Sequence, residues 1–249
     1  MGRAGLLTCL FYPTSGSRAS RTRDEPRRYN ALMSPRAADY RDAVEHLPDG
    51  ATLVIQDFSW DDYERLLDEL SDRPRLRVSY DRGRVEIMTP LPEHETYGRF
   101  IDALVRLYSE LKNLTVESYG SATWKSRALA RGVEPDACYY TISADRIIGK
   151  HHRIDLESDP PPDIVVEIDI TNESLTKFGI YTALSVSEIW RYDGREMRFY
   201  ELADGLYREL SESRSLPGLN SAMMAAALEQ SKTDGQTAAL RAFRRRCAQ

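Results

Sequence analysis

The chain has 249 residues, 41% of them hydrophobic and 29% charged, with a formal net charge of −5. That is an ordinary globular profile, large enough for one medium domain with tails and for a sizeable core without disulfides or a structural metal. Cys9, Cys138 and Cys247 form no CxxC pair and no apolar run approaches the ~20 residues of a membrane-spanning helix, so a disulfide framework, a zinc knuckle and a helical membrane anchor are excluded.

The acidic balance does not announce a nucleic-acid binder, which usually carries a basic surplus. Leu6–Tyr12 behind a single arginine is a poor signal peptide. Together with the cysteine usage this points to a cytoplasmic protein. Thr14–Arg28, rich in Ser, Arg and Thr, reads as disordered, so residues 1–39 are set apart as an extension, with Met33 as an alternative start.

Organised sequence begins near Tyr40. Tyr63, Leu66, Leu67 and Leu70 take helical spacing behind Ser59 as N-cap. Leu76–Tyr80 and Arg84–Met88 alternate around Asp81-Arg82-Gly83, a hairpin. Pro90 and Pro92 open a helix whose stripe is Tyr97, Phe100, Ile101, Leu104, Leu107, Tyr108 and Leu111. Strands follow at Thr115–Tyr119 and Asp136–Ile142, then a long loop over Ser143–Pro162. Ile164–Ile170 is a strand, Leu175–Leu184 a helix and Glu188–Tyr192 a strand; Asp193-Gly194 and Asp204-Gly205 turn the chain through Arg195–Leu202 and Leu206–Leu210. The expected domain covers residues 40–218, and an Ala-rich helical tail covers 219–249. The order predicts an α/β fold, helices flanking a mixed sheet, closed by C-terminal β-hairpins.

Chemistry concentrates in Pro162-Asp163-Ile164-Val165-Val166-Glu167-Ile168-Asp169-Ile170-Thr171. Side chains alternate along a strand, so Glu167 and Asp169 share one face while Ile164, Val166, Ile168 and Ile170 form the other. Carboxylates on a central strand need a cation or donors to offset desolvation, unless the face is solvated. Asp136, in Glu134-Pro135-Asp136, is a second acid at a strand entry; as a bare motif it equally reads as a turn. Lys177 falls in the first turn of the helix that Ser174 would cap, on one face with Tyr181 and Leu184. Two strand-borne acids and a lysine suit Mg²⁺ binding and the positioning of a nucleophilic water. His46, His94 and the His151-His152 pair lack spaced partner acids and read as structural or solvated. Lys125, Ser126, Arg127 and Arg131 suit either phosphate contacts or a solvated strand edge. The four arginines Arg241, Arg244, Arg245 and Arg246 read as a solvated helix end, and Trp60, Trp124 and Trp190 as core or rim aromatics.

Glu134-Pro135-Asp136, Pro161-Pro162-Asp163-Ile164-Val165-Val166-Glu167-Ile168, and Lys177 through Tyr181 to Glu188-Ile189-Trp190 resemble the Uma2 (DUF820) family. Gly83-Arg84-Val85-Glu86-Ile87-Met88-Thr89-Pro90, ahead of Pro92-Glu93-His94-Glu95, does so too, and the likeness runs from Phe58 to Leu210. That family is assigned to the PD-(D/E)XK nuclease superfamily, so the resemblance implies a restriction-endonuclease-like fold and metal-dependent endonuclease activity on nucleic acid, DNA first. It implies Asp136, Glu167 and the Ile168 carbonyl as metal ligands for Mg²⁺, with Mn²⁺ as a substitute. Lys177 becomes the catalytic lysine, moved from strand to helix. Asp169 stands where the superfamily's lysine usually does. The first-helix acid falls among Glu93, His94 and Glu95, with Glu95 taken as the fourth catalytic candidate. Ser185 and Ser187 replace a turn's usual Gly and Pro. A homodimer is expected from two-strand cleavage and the frequency of C2 pairing. The competing reading is an inactive nucleic-acid- or protein-binding module on the same fold.

Overall fold

The structure, a computed structural model, describes residues 6–10, 31–32, 43–71, 76–150, 154–170 and 174–248. They divide into two compact units, Met1–Leu91 with Ala130–Gly132, and Pro92–Leu129 with Val133–Gln249. The Ser- and Arg-rich stretch 14–28, Met33 and His151-His152 lie outside the described residues.

Among the described residues, the first unit is an antiparallel sheet with a helix at Trp60–Leu70 and a short helical segment at 43–45. Its strands are β1 (Leu6–Leu10), β2 (Ala31–Leu32), β3 (Thr52–Ile55), β4 (Arg77–Asp81) and β5 (Arg84–Met88), in the order β2-β1-β3-β5-β4. Arg131 and Gly132 pair next, against Asp81 and Tyr80. The expected hairpin is present: Asp81 pairs with Arg84, and Arg82 and Gly83 both take positive φ, as a two-residue type I′ turn requires. Helix α1 (Trp60–Leu70) begins where predicted, Ser59 Oγ accepting from Asp62 N at 3.1 Å. Its inward Tyr63 and Leu66 join Leu53, Ile55, Val78, Val85 and Ile87 in a core. Gly132 is obligatory there, because a Cβ would lie 2.2 Å from the Tyr63 hydroxyl.

The second unit carries helix α2 (Pro92–Lys112) and the strands β6 (Glu117–Ser118), β7 (Trp124–Ser126), β8 (Arg131–Val133, shared with the first unit), β9 (Ala137–Tyr140) and β10 (Ile164–Ile168). Helix α3 (Phe178–Ala183), β11 (Glu188–Tyr192), β12 (Met197–Ala203), β13 (Leu206–Leu210), α4 (Ser221–Asp234) and α5 (Gln236–Cys247) complete it. Its six-stranded mixed sheet runs β13-β12-β11-β10-β9-β6; β10 is parallel to β11 and antiparallel to β9.

Both faces of β10 are covered. Ile164, Val166 and Ile168 pack with Phe100, Ile101 and Leu104 of α2 and with Met224, Leu228 and Phe243 of the last two helices. Val165 packs the other way with Ile180, Tyr181 and Leu184. A strand buried on two sides reads as a near-continuous apolar run, so the acid it carries is desolvated rather than bathed in solvent.

Several details differ from expectation. The mixed sheet flanked by helices is present, but the N-terminal part forms its own antiparallel sheet, to which Leu6–Leu10 of the supposed extension contributes. Three short strands, Thr52–Ile55, Trp124–Ser126 and Arg131–Val133, hold too little periodicity to be seen, while Glu117–Ser118 and Ala137–Tyr140 fall inside the predicted strands. The helices after Asn220 belong to the core: Met224, Leu228, Ala239 and Phe243 sit in the core cluster of β10. Glu188 secures the run between sheet and helices, its buried carboxylate accepting from Trp190 Nε1 (3.0 Å), Ser213 Oγ (2.8 Å) and Ser215 N (2.6 Å). Of the predicted phosphate-contact candidates, Arg131 is buried and pairs with Asp81 at 3.0 Å.

Candidate active site

The antiparallel pairing that ends at Val166 with Ala137 places Asp136 opposite Glu167 one step on. Two hydrogen bonds fix this junction: Asp136 N donates to Val166 O (3.0 Å), and Ile168 N donates to Asp136 Oδ2 (2.8 Å). The carboxylates therefore meet at the start of β9 and the end of β10, within the second unit. Neither faces solvent; the side chains are 5% and 2% exposed.

Lys177 reaches the same point. Its Nζ lies 2.7 Å from Glu167 Oε2. One turn on, the Tyr181 hydroxyl donates to Glu167 Oε1. Sequence reading placed Tyr181 on that face without giving it a role; the i, i+4 spacing from Lys177 was the available signal. The local helix differs from expectation: Ser174–Lys177 is a 3₁₀ turn that leads into α3. Ser174 does not cap α3, since its Oγ donates instead to Asp169 Oδ2 at 3.0 Å.

The first-helix candidate needs correction. Glu95 is about half exposed and faces Arg99, 3.7 Å away, while Glu93 is also exposed. His94 is the residue that turns inward, 2% exposed, with Nδ1 at 3.8 Å from Asp136 Oδ2. Consecutive helical residues point 100° apart, so only one of the three can face the sheet. The signal was present, because His94 precedes Tyr97 by three and Ile101 by seven and is in phase with the apolar stripe. At 3.8 Å the contact is too long for a hydrogen bond, and both imidazole nitrogens are buried without a hydrogen-bond partner among the described residues.

The electrostatics push the two acids apart. Burial drives the Glu167 carboxyl up to about 7, with the Asp136 charge adding to it, against the pull of Lys177 and Tyr181. For Asp136 burial also pushes upward, but His94, Lys177 and the Ile168 N–H more than offset it and hold the carboxyl below its usual value. Burial disfavours the Lys177 ammonium, yet Glu167 and Asp136 outweigh this and raise its pKa, so it is a cation at neutral pH. Carboxyls split in this way by environment suit a catalytic or cation-binding site.

Asp169 closes the cluster. It accepts from Ser174 N and Oγ, both at 3.0 Å on Oδ2, and pairs with Arg191, whose position on β11 is directly beside Glu167. Among the described residues no group of three or more His, Cys, Asp or Glu stands ready to hold a metal. Two carboxylates nonetheless suit Mg²⁺, which takes one or two protein carboxylates and fills its shell with water and substrate phosphate. The buried His94 nitrogens lie beside Asp136 without a hydrogen-bond partner among the described residues.

A family model described as "Uma2: Putative restriction endonuclease" matches residues 60–230. No curated protein matches the chain.

Proposed function

The chain belongs to the Uma2 family, and from that premise we propose that it is a metal-dependent endonuclease that hydrolyses phosphodiester bonds of nucleic acid, with DNA as substrate. The observation that carries this is the pair of buried carboxylates, Asp136 and Glu167, side by side on neighbouring strands with the Lys177 ammonium 2.7 Å from one of them. Glu188, a structural acid on the neighbouring strand, is met only by neutral donors, whereas Glu167 is met by the Lys177 ammonium and lies beside a second buried acid, Asp136.

Asp136, Glu167 and the Ile168 carbonyl would hold Mg²⁺, with Mn²⁺ as a substitute. When bound there, a divalent cation would neutralise phosphodiester charge and lower the pKa of a coordinated water. Lys177, kept protonated by its acidic neighbours, acts as a fixed positive charge toward the developing oxyanion rather than as a base. Tyr181 and Lys177 orient Glu167 from its two oxygens, and the Ile168 N–H orients Asp136. His94 takes the place expected for Glu95. The proposal extends to a homodimer acting in the cytoplasm. Among the described residues, no helix is long and apolar enough to cross a membrane.

The test is cleavage of supercoiled and linear DNA in Mg²⁺ or Mn²⁺ by wild type, Asp136→Asn and Glu167→Gln. Cleavage by wild type, lost in both variants with their melting transitions retained, is the expected result. Undiminished cleavage in both variants sinks the assignment. Binding without turnover in any divalent metal would favour the binding-module reading.

A further inference from the structure

We infer that Asp169 is a positioning residue for Lys177, holding the helical turn that delivers the lysine to Glu167. The lysine travels on a weak element. Helix α3 has six residues and no side-chain cap at its N-cap, Lys177 itself, and a helix this short does not persist on its own. The 3₁₀ turn before it starts at Ser174, and that residue is fastened. Ser174 is buried, and its N–H and Oγ both bond to Asp169.

Asp169 is in turn fixed from two sides. Its own N–H donates to Tyr192 O at 2.7 Å, and its carboxylate pairs with Arg191, which is only 11% exposed. The chain of contacts is Arg191 to Asp169 to Ser174, then three residues along the turn to Lys177, then 2.7 Å to Glu167. An acid two residues after Glu167 thus does not supply the reaction's cation; it anchors the element that does. Removing its charge leaves Arg191 without its counterion and gives the Ser174 donors a neutral amide oxygen in place of the carboxylate, so the turn loosens while β10 and β11 keep their own ladder.

The kinetic part of the test rests on the nuclease reading; the labelling part does not. The protein is acylated with an amine-reactive reagent in the absence of nucleic acid, and Lys177 modification is followed by mass spectrometry in wild type, Asp169→Asn and Ser174→Ala. Lys177 should react about 10-fold faster in Asp169→Asn and less markedly faster in Ser174→Ala, which keeps the Arg191 pair and serves if the first variant fails to fold. In DNA cleavage, Asp169→Asn should lower kcat about 10-fold with KM unchanged, the scale of a lost supporting contact. It should add nothing in a Lys177→Ala background, because the two act as a unit. Unchanged Lys177 labelling in both variants overturns the inference whether or not DNA is cut. Additive kinetic losses would assign Asp169 to general stability instead. Wild type that cuts nothing would remove the nuclease reading and leave the labelling result to decide this one.

Discussion

Glu167 concentrates the site's physics in one side chain. Its folded carboxyl titrates near 7 against an ordinary 4.5, because burial favours the neutral form more than Lys177 and Tyr181 favour the charged one. A raised pKa means that its contribution to stability is complete below about 4.5 and is lost as pH climbs through about 7. Lys177, also raised, loses its contribution only in the alkaline range, and Asp136, lowered, only as pH falls below its usual carboxylate range. Near neutrality the slope of the site therefore belongs to Glu167. Without metal, the melting temperature should fall from pH 5 to pH 8, by up to about 3 kcal/mol of stability, and Glu167→Gln should flatten that fall. Equal slopes in the two proteins would contradict the assigned environment. At this scale the family resemblance, rather than spacing alone, singled out Asp136, Glu167 and Lys177, which the structure brings together. It left His94 ambiguous, because two acids flank it and acids are the expected chemistry, although its phase with Tyr97 and Ile101 singled it out. The Asp169–Arg191 pair was not legible, since it needs the register of β10 against β11.

Elements were readable where periodicity was long. Helix α2, the β4–β5 hairpin and the β11–β13 meander fall where alternation and helical spacing put them. Shorter pieces failed for lack of pattern, and the C-terminal helices were found but undervalued. An Ala-rich sequence advertises helix without advertising what it covers. In the structure, Phe243 of α5 is fully buried, its ring 6.5 Å from that of Tyr108 on α2. Phe243→Ala should therefore cost about 3–5 kcal/mol in chemical denaturation, as for a core residue. A loss under about 1 kcal/mol, within the range of surface substitutions, would show that the last helix is dispensable. The same packing bears on the site, because α2 contacts both α5 and β10 and carries His94 at its first turn.

At the scale of the whole molecule, a net charge of −5 gives no general attraction to a polyanion. Any affinity for nucleic acid must come from local features, and a dication at Asp136 and Glu167 would invert the field where the phosphate has to sit. That makes metal binding the hinge of the whole account. Calorimetric titration of Mg²⁺ and Mn²⁺ into wild type and an Asp136→Ala/Glu167→Ala double variant tests it most directly, run at pH 6 and pH 8. Wild type alone should bind, more tightly at the higher pH because the proton on Glu167 must leave. Equal binding by both proteins, or none by either, would contradict it.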